Sequence, residues 1–162
     1  MREADFERLY SEHAQALFGF LVYRTGDRAL AEDVVADTFE RALRARRRFD
    51  PRKGSEKTWL YSIALNRLRD QGRRTGAEGR AVERLAAGID EHDASRAVER
   101  VEARETVASA LGALSDEERE AVALRFAGDL SLKELAKVTG VPMTTAEGRV
   151  YRALAKLREV ME

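Results

Sequence analysis

Residues 41–74 hold 12 Arg and Lys against 3 acidic residues (Asp50, Glu56 and Asp70), and a single phenylalanine, Phe49, sits inside that basic run. Cationic side chains neutralise phosphates, and an aromatic ring among them can stack on an unpaired base, so this composition suits single-stranded nucleic acid. The same residues also have an ordinary structural use, with Phe49 plugging a core and the arginines solvated. The local sequence leaves both open.

A second constellation lies in residues 131–158. Ser131 and Glu134 have capping-box spacing, Leu132, Leu135 and Ala136 form an apolar face, and Thr139-Gly140 supplies a helix stop. After Pro142, Thr144 and Glu147 repeat the box spacing, and Val150, Leu154 and Leu157 make the apolar stripe of a second helix. Its other side offers Thr145, Arg149, Tyr151, Arg152 and Lys156. Such a pair is the outline of a helix-turn-helix whose second helix enters a major groove, or of a plain helical hairpin.

Other chemistry is excluded by what is missing. Zero cysteines rule out disulfides and thiolate metal sites, and His13 and His92 stand alone, so no metal or cofactor is expected. No nucleophile, base and orienting group share a pattern, and no glycine-rich phosphate loop occurs, so the chain reads as a non-enzyme. No apolar run approaches the ~18 residues of a membrane span, which gives an expectation of a cytoplasmic protein without membrane insertion.

The net charge is zero, but the charges are segregated. Residues 1–40 hold 4 basic and 9 acidic residues, so an acidic segment precedes the one that carries +9. DNA would repel the first and attract the second.

Helical periodicity supplies the elements that must position these groups. Phe6, Leu9, Tyr10, Leu17, Phe18 and Leu21 predict a helix over 5–24, with His13 packed or solvated beside the stripe. Leu30, Val34, Thr38, Phe39, Ala42 and Leu43 predict the core side of a second, with Glu32, Asp33, Asp37 and Glu40 around its other side. A third begins near Ser55 and turns Trp59, Leu60, Ile63, Ala64 and Leu68 inward, with Arg67, Arg69, Arg73 and Arg74 toward its end. Pro51 and Gly54 break the chain between the second and third. Glycine-rich residues 72–95 read as a linker. A further helix over 97–114 follows, then one capped by Ser115 and Glu118 with Val122, Ala123 and Phe126 inward. The fold class is all-α: residues 1–74 and 97–162 form two small helical domains joined by a flexible linker, 75–96.

At this level the chain resembles the extracytoplasmic-function group of bacterial RNA polymerase sigma factors. AEDVVADTFERAL is similar to region 2.2, and KTWLYSIALNRLRD followed by GRR to regions 2.3 and 2.4. ALSDEEREAVALRFAGDLSLKELAKVTGVP followed by GRVYRALAKLRE resembles region 4. The resemblance implies a region 2-like helical bundle and a region 4-like helix-turn-helix domain that bind core RNA polymerase and promoter DNA. Asp33, Asp37 and Glu40 would then face the polymerase clamp. Arg41, Phe49, Asn66, Arg67, Arg69, Arg73 and Arg74 would meet the melted minus-10 strand. Thr144, Thr145, Glu147, Arg149, Tyr151 and Arg152 would meet the minus-35 duplex. Many members are held by an anti-sigma factor, and the resemblance extends that expectation here. Departures from the family pattern stand at Ala36, Glu56, Glu147 and Gly148. Glu147 is expected either to cap its helix with Thr144 or to accept from a cytosine amino group. The competing readings are a two-domain helix-turn-helix regulator acting without polymerase and a helical adaptor for an acidic partner.

Overall fold

The computed structural model describes residues 3–75 and 110–161. Most of the expected linker, and the expected helix over 97–114 before residue 110, lie outside the described residues. In order come α1 (Glu3–Thr25), α2 (Arg28–Ala45), a 3-10 turn (Arg46–Arg48), α3 (Glu56–Thr75), α4 (Asp116–Val122), a π-helical turn (Ala123–Ala127), α5 (Leu132–Thr139) and α6 (Met143–Met161). Every regular element among the described residues is helical, as the composition implied.

Local chemistry sets the boundaries. Gly26 (φ +67°) donates to the Val22 carbonyl at 2.8 Å and ends α1, and Asp27 then caps α2 by accepting the Leu30 N–H. Ser55 Oγ accepts the Thr58 N–H at 3.1 Å and starts α3. The capping boxes Ser115/Glu118 and Ser131/Glu134 both form, with donor and acceptor distances of 2.9–3.2 Å. Gly140 takes φ +74° at the end of α5, where a Cβ would strain the backbone.

The expected third box does not form as a cap. Helix α6 already begins at Met143, and the Ala146 N–H bonds to the Pro142 carbonyl, so Thr144 lies inside the first turn with its own backbone helical. A capping residue has non-helical backbone, so Glu147 is left exposed without that use.

Leu9, Leu17, Phe20 and Leu21 of α1 pack on Ala31, Val34, Thr38, Phe39 and Ala42 of α2 and on Leu60, Tyr61, Ala64 and Leu65 of α3 in one apolar core. That core continues into the second segment through Leu124, Leu130, Leu135, Ala136, Val138, Ala146 and Val150.

The inward stripe expected after Ser115 is corrected at Phe126, which is 57% exposed, while Leu124 is fully buried. The Gly128 N–H reaches back to the Ala123 carbonyl at 2.9 Å, the i→i+5 bond of a π turn. Each residue there advances less than the 100° of an α-helix, so the 3.6 period rotates out of phase and Leu124 takes the core position.

The two described segments meet through side chains as well as the shared core. Tyr61 is fully buried against Phe20 and approaches the Gly128 carbonyl at 3.5 Å. Arg24 pairs with Glu120 at 3.3 Å, both largely buried, and Lys57 Nζ donates to the Asp129 carbonyl at 2.5 Å. Lys137 of α5 donates to the Lys53 carbonyl in the basic loop.

Candidate nucleic-acid interface

The basic loop is built by three short-range devices. The 3-10 turn tightens the end of α2, the Asp50 carboxylate and carbonyl accept the Arg52 and Lys53 N–H groups, and Ser55 restarts the helix. Phe49 is thereby placed against Trp59, ring centroids 5.1 Å apart and planes tilted by 49°. Phe49 is neither a core plug nor a free ring: it stays half-buried, with Trp59 behind it.

These rings border a cavity of about 210 Å³ lined also by Arg48, Lys53, Thr58, Ser62 and Lys137. The Thr58 and Ser62 hydroxyls donate to main-chain carbonyls at 3.0 and 2.8 Å. Their protons are therefore engaged, while lone pairs remain to accept from a ligand N–H. Asn66 is exposed one turn further along, because Thr58, Ser62 and Asn66 recur every four residues on α3. The cavity thus combines aromatic walls, a cationic rim and hydrogen-bond acceptors.

Arg41 on α2 and Arg69 on α3 are exposed, and Arg67 is turned away from the cavity. Its Nε donates to Asp37 on α2 at 2.5 Å and a terminal nitrogen donates to Gln71 at 3.1 Å. The Arg67 hydrogen bond holds the Asp37 carboxyl below the usual carboxylate range. Asp33 is exposed on the same helix, and Glu40 pairs with Arg44 at 2.5 Å. Helix α3 extends through Arg73 and Arg74, whose side chains lie outside the described residues.

Helix α6 is held by its inner side and by one buried carboxylate. Ala146, Val150 and Ala153 are buried, and Glu118 of α4, 5% exposed, accepts from Lys156 at 2.7 Å and lies 3.9 Å from Arg152. The Lys156 ammonium, with the Ser115 N–H, holds the Glu118 carboxyl below its ordinary value. The outer side presents Thr144, Glu147, Arg152 and Tyr151, the last 75% exposed, with Thr145 and Arg149 partly covered. Gly148 leaves space for the Arg152 guanidinium, which a Cβ there would meet at 3.0 Å.

Among curated proteins, the RNA polymerase sigma factor CnrH of Cupriavidus metallidurans is 35% identical over 100% of this chain and 97% of its own length. The ECF RNA polymerase sigma factor RpoE of Cereibacter sphaeroides is 30% identical over 98% of this chain and 87% of its own. The Sigma-70 region 2 profile matches residues 9–78, and the Sigma-70 region 4 profile matches residues 104–157. The chain belongs to the ECF RNA polymerase sigma factors. It is a subunit that binds core polymerase and promoter DNA and directs promoter-specific transcription initiation.

Solved sigma-factor structures share the arrangement. CnrH in complex with the cytosolic domain of CnrY aligns at TM-score 0.72 and 29% identity, covering 99% of this chain and 89% of that one. The sigma factor RpoE in complex with the anti-sigma factor NepR from Bartonella quintana aligns at 0.73 and 26%, covering 97% and 96%.

Within this sigma factor the fold gathers Phe49 with Trp59, Thr58 and Ser62, and leaves Asn66 beside them on α3. It does not bring Arg67 to that group. Reading the sequence missed Thr58, Ser62 and Lys137. The four-residue spacing of the two hydroxyls with Asn66 was a usable signal, but nothing local announces Lys137, which arrives from 84 residues away.

Proposed function

We propose that this sigma factor captures an unpaired minus-10 base in the Phe49–Trp59 cavity and reads the minus-35 duplex with the exposed side of α6. The cavity carries the reading: a flipped base needs stacking surface and hydrogen bonds to its edge, at a cost of a few kcal/mol in lost stacking. Phe49 and Trp59 supply the surface, Thr58, Ser62 and Asn66 the polar contacts, and Arg41, Arg69, Arg73 and Arg74 the phosphate neutralisation. Acceptor hydroxyls on Thr58 and Ser62 favour a base edge that carries an amino or imino donor.

On α6, Thr144, Thr145, Arg149, Tyr151 and Arg152 face the duplex. Glu147, without a capping role, accepts from a cytosine amino group, the base-edge contact a carboxylate makes well. Asp33, Asp37 and Glu40 dock on a basic surface of the polymerase. Residues 1–74 and 97–162 act as the two DNA-reading units, with 75–96 spanning the distance between them. Both similar solved structures contain a second protein bound to the sigma factor, one of them an anti-sigma factor, and a partner of that class fits this chain also.

The two reading surfaces cannot work together in the packing described above. By name the promoter elements stand about 25 base pairs apart, roughly 85 Å at 3.4 Å per pair. Lys137 on α5 touches the basic loop and lines its cavity. The second unit must therefore leave the first before both elements are read.

The test is reconstituted transcription with core polymerase on a promoter library. Transcripts that depend on this chain and show permanganate-reactive minus-10 thymines are expected. Duplex binding without polymerase-dependent transcripts would instead identify a stand-alone helix-turn-helix regulator.

A further inference from the structure

The ion pair between Asp37 and Arg67 joins the acidic side of α2 to the DNA-reading side of α3. Asp37 shares α2 with Asp33 and Glu40, its side chain is 39% exposed, and Arg41 and Arg44 of the same helix act on it besides Arg67. Arg67 is 17% exposed and follows Asn66 directly in sequence, yet both of its described hydrogen bonds, to Asp37 and Gln71, turn it from the cavity. A guanidinium paired with a carboxylate at 2.5 Å contributes almost no net charge to a passing phosphate. It also loses the phosphate hydrogen bonds that its planar fork would otherwise make.

We propose that Asp37 restrains Arg67 in the free sigma factor, and that a basic polymerase surface docking on α2 takes Asp37 and releases Arg67 to the minus-10 strand. Asp37 is then the positioning residue, and Arg67 a strand contact in the holoenzyme that is silent in the free chain. The device makes strand capture depend on docking without any movement of the helices, because one carboxylate serves two competing cations. It rests on the docking role given above to α2.

The chemistry predicts a particular salt signature. Each additional phosphate contact on a single strand steepens the dependence of log K on log salt by about 0.7. Binding of the full-length chain to a fluorescent single-stranded non-template minus-10 oligonucleotide is measured from low to moderate salt, without polymerase. Asp37→Asn should steepen the slope by about 0.7 and tighten binding about fivefold at 0.1 M salt. Arg67→Gln should leave the free-chain slope at the wild-type value and, combined with Asp37→Asn, should cancel the gain. Asp33→Asn removes the same charge from the same helix and should not steepen the slope.

A wild-type slope in Asp37→Asn, or an equal gain in Asp33→Asn, overturns the proposal. Capture of core polymerase by the same variants is scored separately. Weakened capture by Asp37→Asn with a wild-type salt slope sinks the latch and keeps the docking surface. Unchanged capture sinks the docking role of Asp37, and the transfer of Arg67 with it.

Discussion

Lys137 on α5 donates to the carbonyl of Lys53 in the basic loop, and so brings its side chain from the first helix of the helix-turn-helix to the rim of the Phe49–Trp59 cavity. A Cβ on Gly54 would stand 2.7 Å from the Lys137 ammonium, which shows how closely the two elements meet. Removing the Lys137 side chain opens the cavity and weakens one contact between the units. Lys137→Ala should therefore bind the single-stranded minus-10 oligonucleotide several-fold more tightly than wild type by fluorescence anisotropy, although it has lost a positive charge. Equal or weaker binding would mean that Lys137 does not obstruct the cavity.

The packing between units depends on Tyr61 and Gly128. A Cβ on Gly128 would lie 2.9 Å from the Leu124 carbonyl and 3.1 Å from Tyr61 Cε1, a collision with backbone and with a buried ring. Gly128→Ala should cost about 1–3 kcal/mol by overpacking, and Tyr61→Ala about 3–5 kcal/mol by leaving a cavity. Urea unfolding of both single variants and the double variant measures this. Because the residues touch, the double variant should lose less than the sum.

Acid should loosen α6 from α4 through Glu118. Its folded-state pKa is depressed by Lys156 and Ser115, so the stability it contributes is fully present above the ordinary carboxylate pKa of about 4.3. That contribution is lost as pH falls through the lower folded value. Thermal unfolding between pH 7 and pH 3 should show a smaller acid decline in Glu118→Gln, which starts from a lower Tm at neutral pH. Parallel curves for the two proteins would remove Glu118 from the acid response.

Asn66 and Asp33 separate promoter opening from polymerase docking. Asn66→Ala should reduce permanganate reactivity of the minus-10 region roughly 10-fold or more, the order expected when one bidentate base contact is lost, while leaving duplex footprints intact. Asp33→Arg should abolish co-purification with core polymerase without altering the circular dichroism spectrum.

On α6, Glu147→Gln should relax discrimination at one minus-35 base pair by about 1–3 kcal/mol, and Arg149→Ala should weaken minus-35 binding more broadly. Selection of binding sites from a randomised minus-35 library distinguishes them. An unchanged profile for Glu147→Gln would leave that carboxylate as solvated surface.

Much of this architecture is legible in the sequence because its determinants are local. Ser115, Ser131 and Gly140 each act on backbone groups within four residues, so the capping boxes and the αL stop could be read directly. The third box failed for an equally local reason: Pro142 lets α6 begin at Met143, which places Thr144 inside the helix. Phe126 was misplaced because a single π turn shifts the phase of the apolar period, and no residue type marks such a turn.

The sequence by itself determined the helices, their order, the segregation of basic from acidic residues and the family to which the chain belongs, since these depend on periodicity, caps and motif spacing along one stretch of chain. Only the tertiary structure decided that Arg67 faces Asp37 instead of the cavity, that Tyr61 is buried between the units, and that Lys137 reaches Lys53. Each of those relationships joins groups 30 to 84 residues apart. A helix face of period 3.6 records which side of a segment is apolar, but not which partner covers it or which of several opposite charges a given arginine meets.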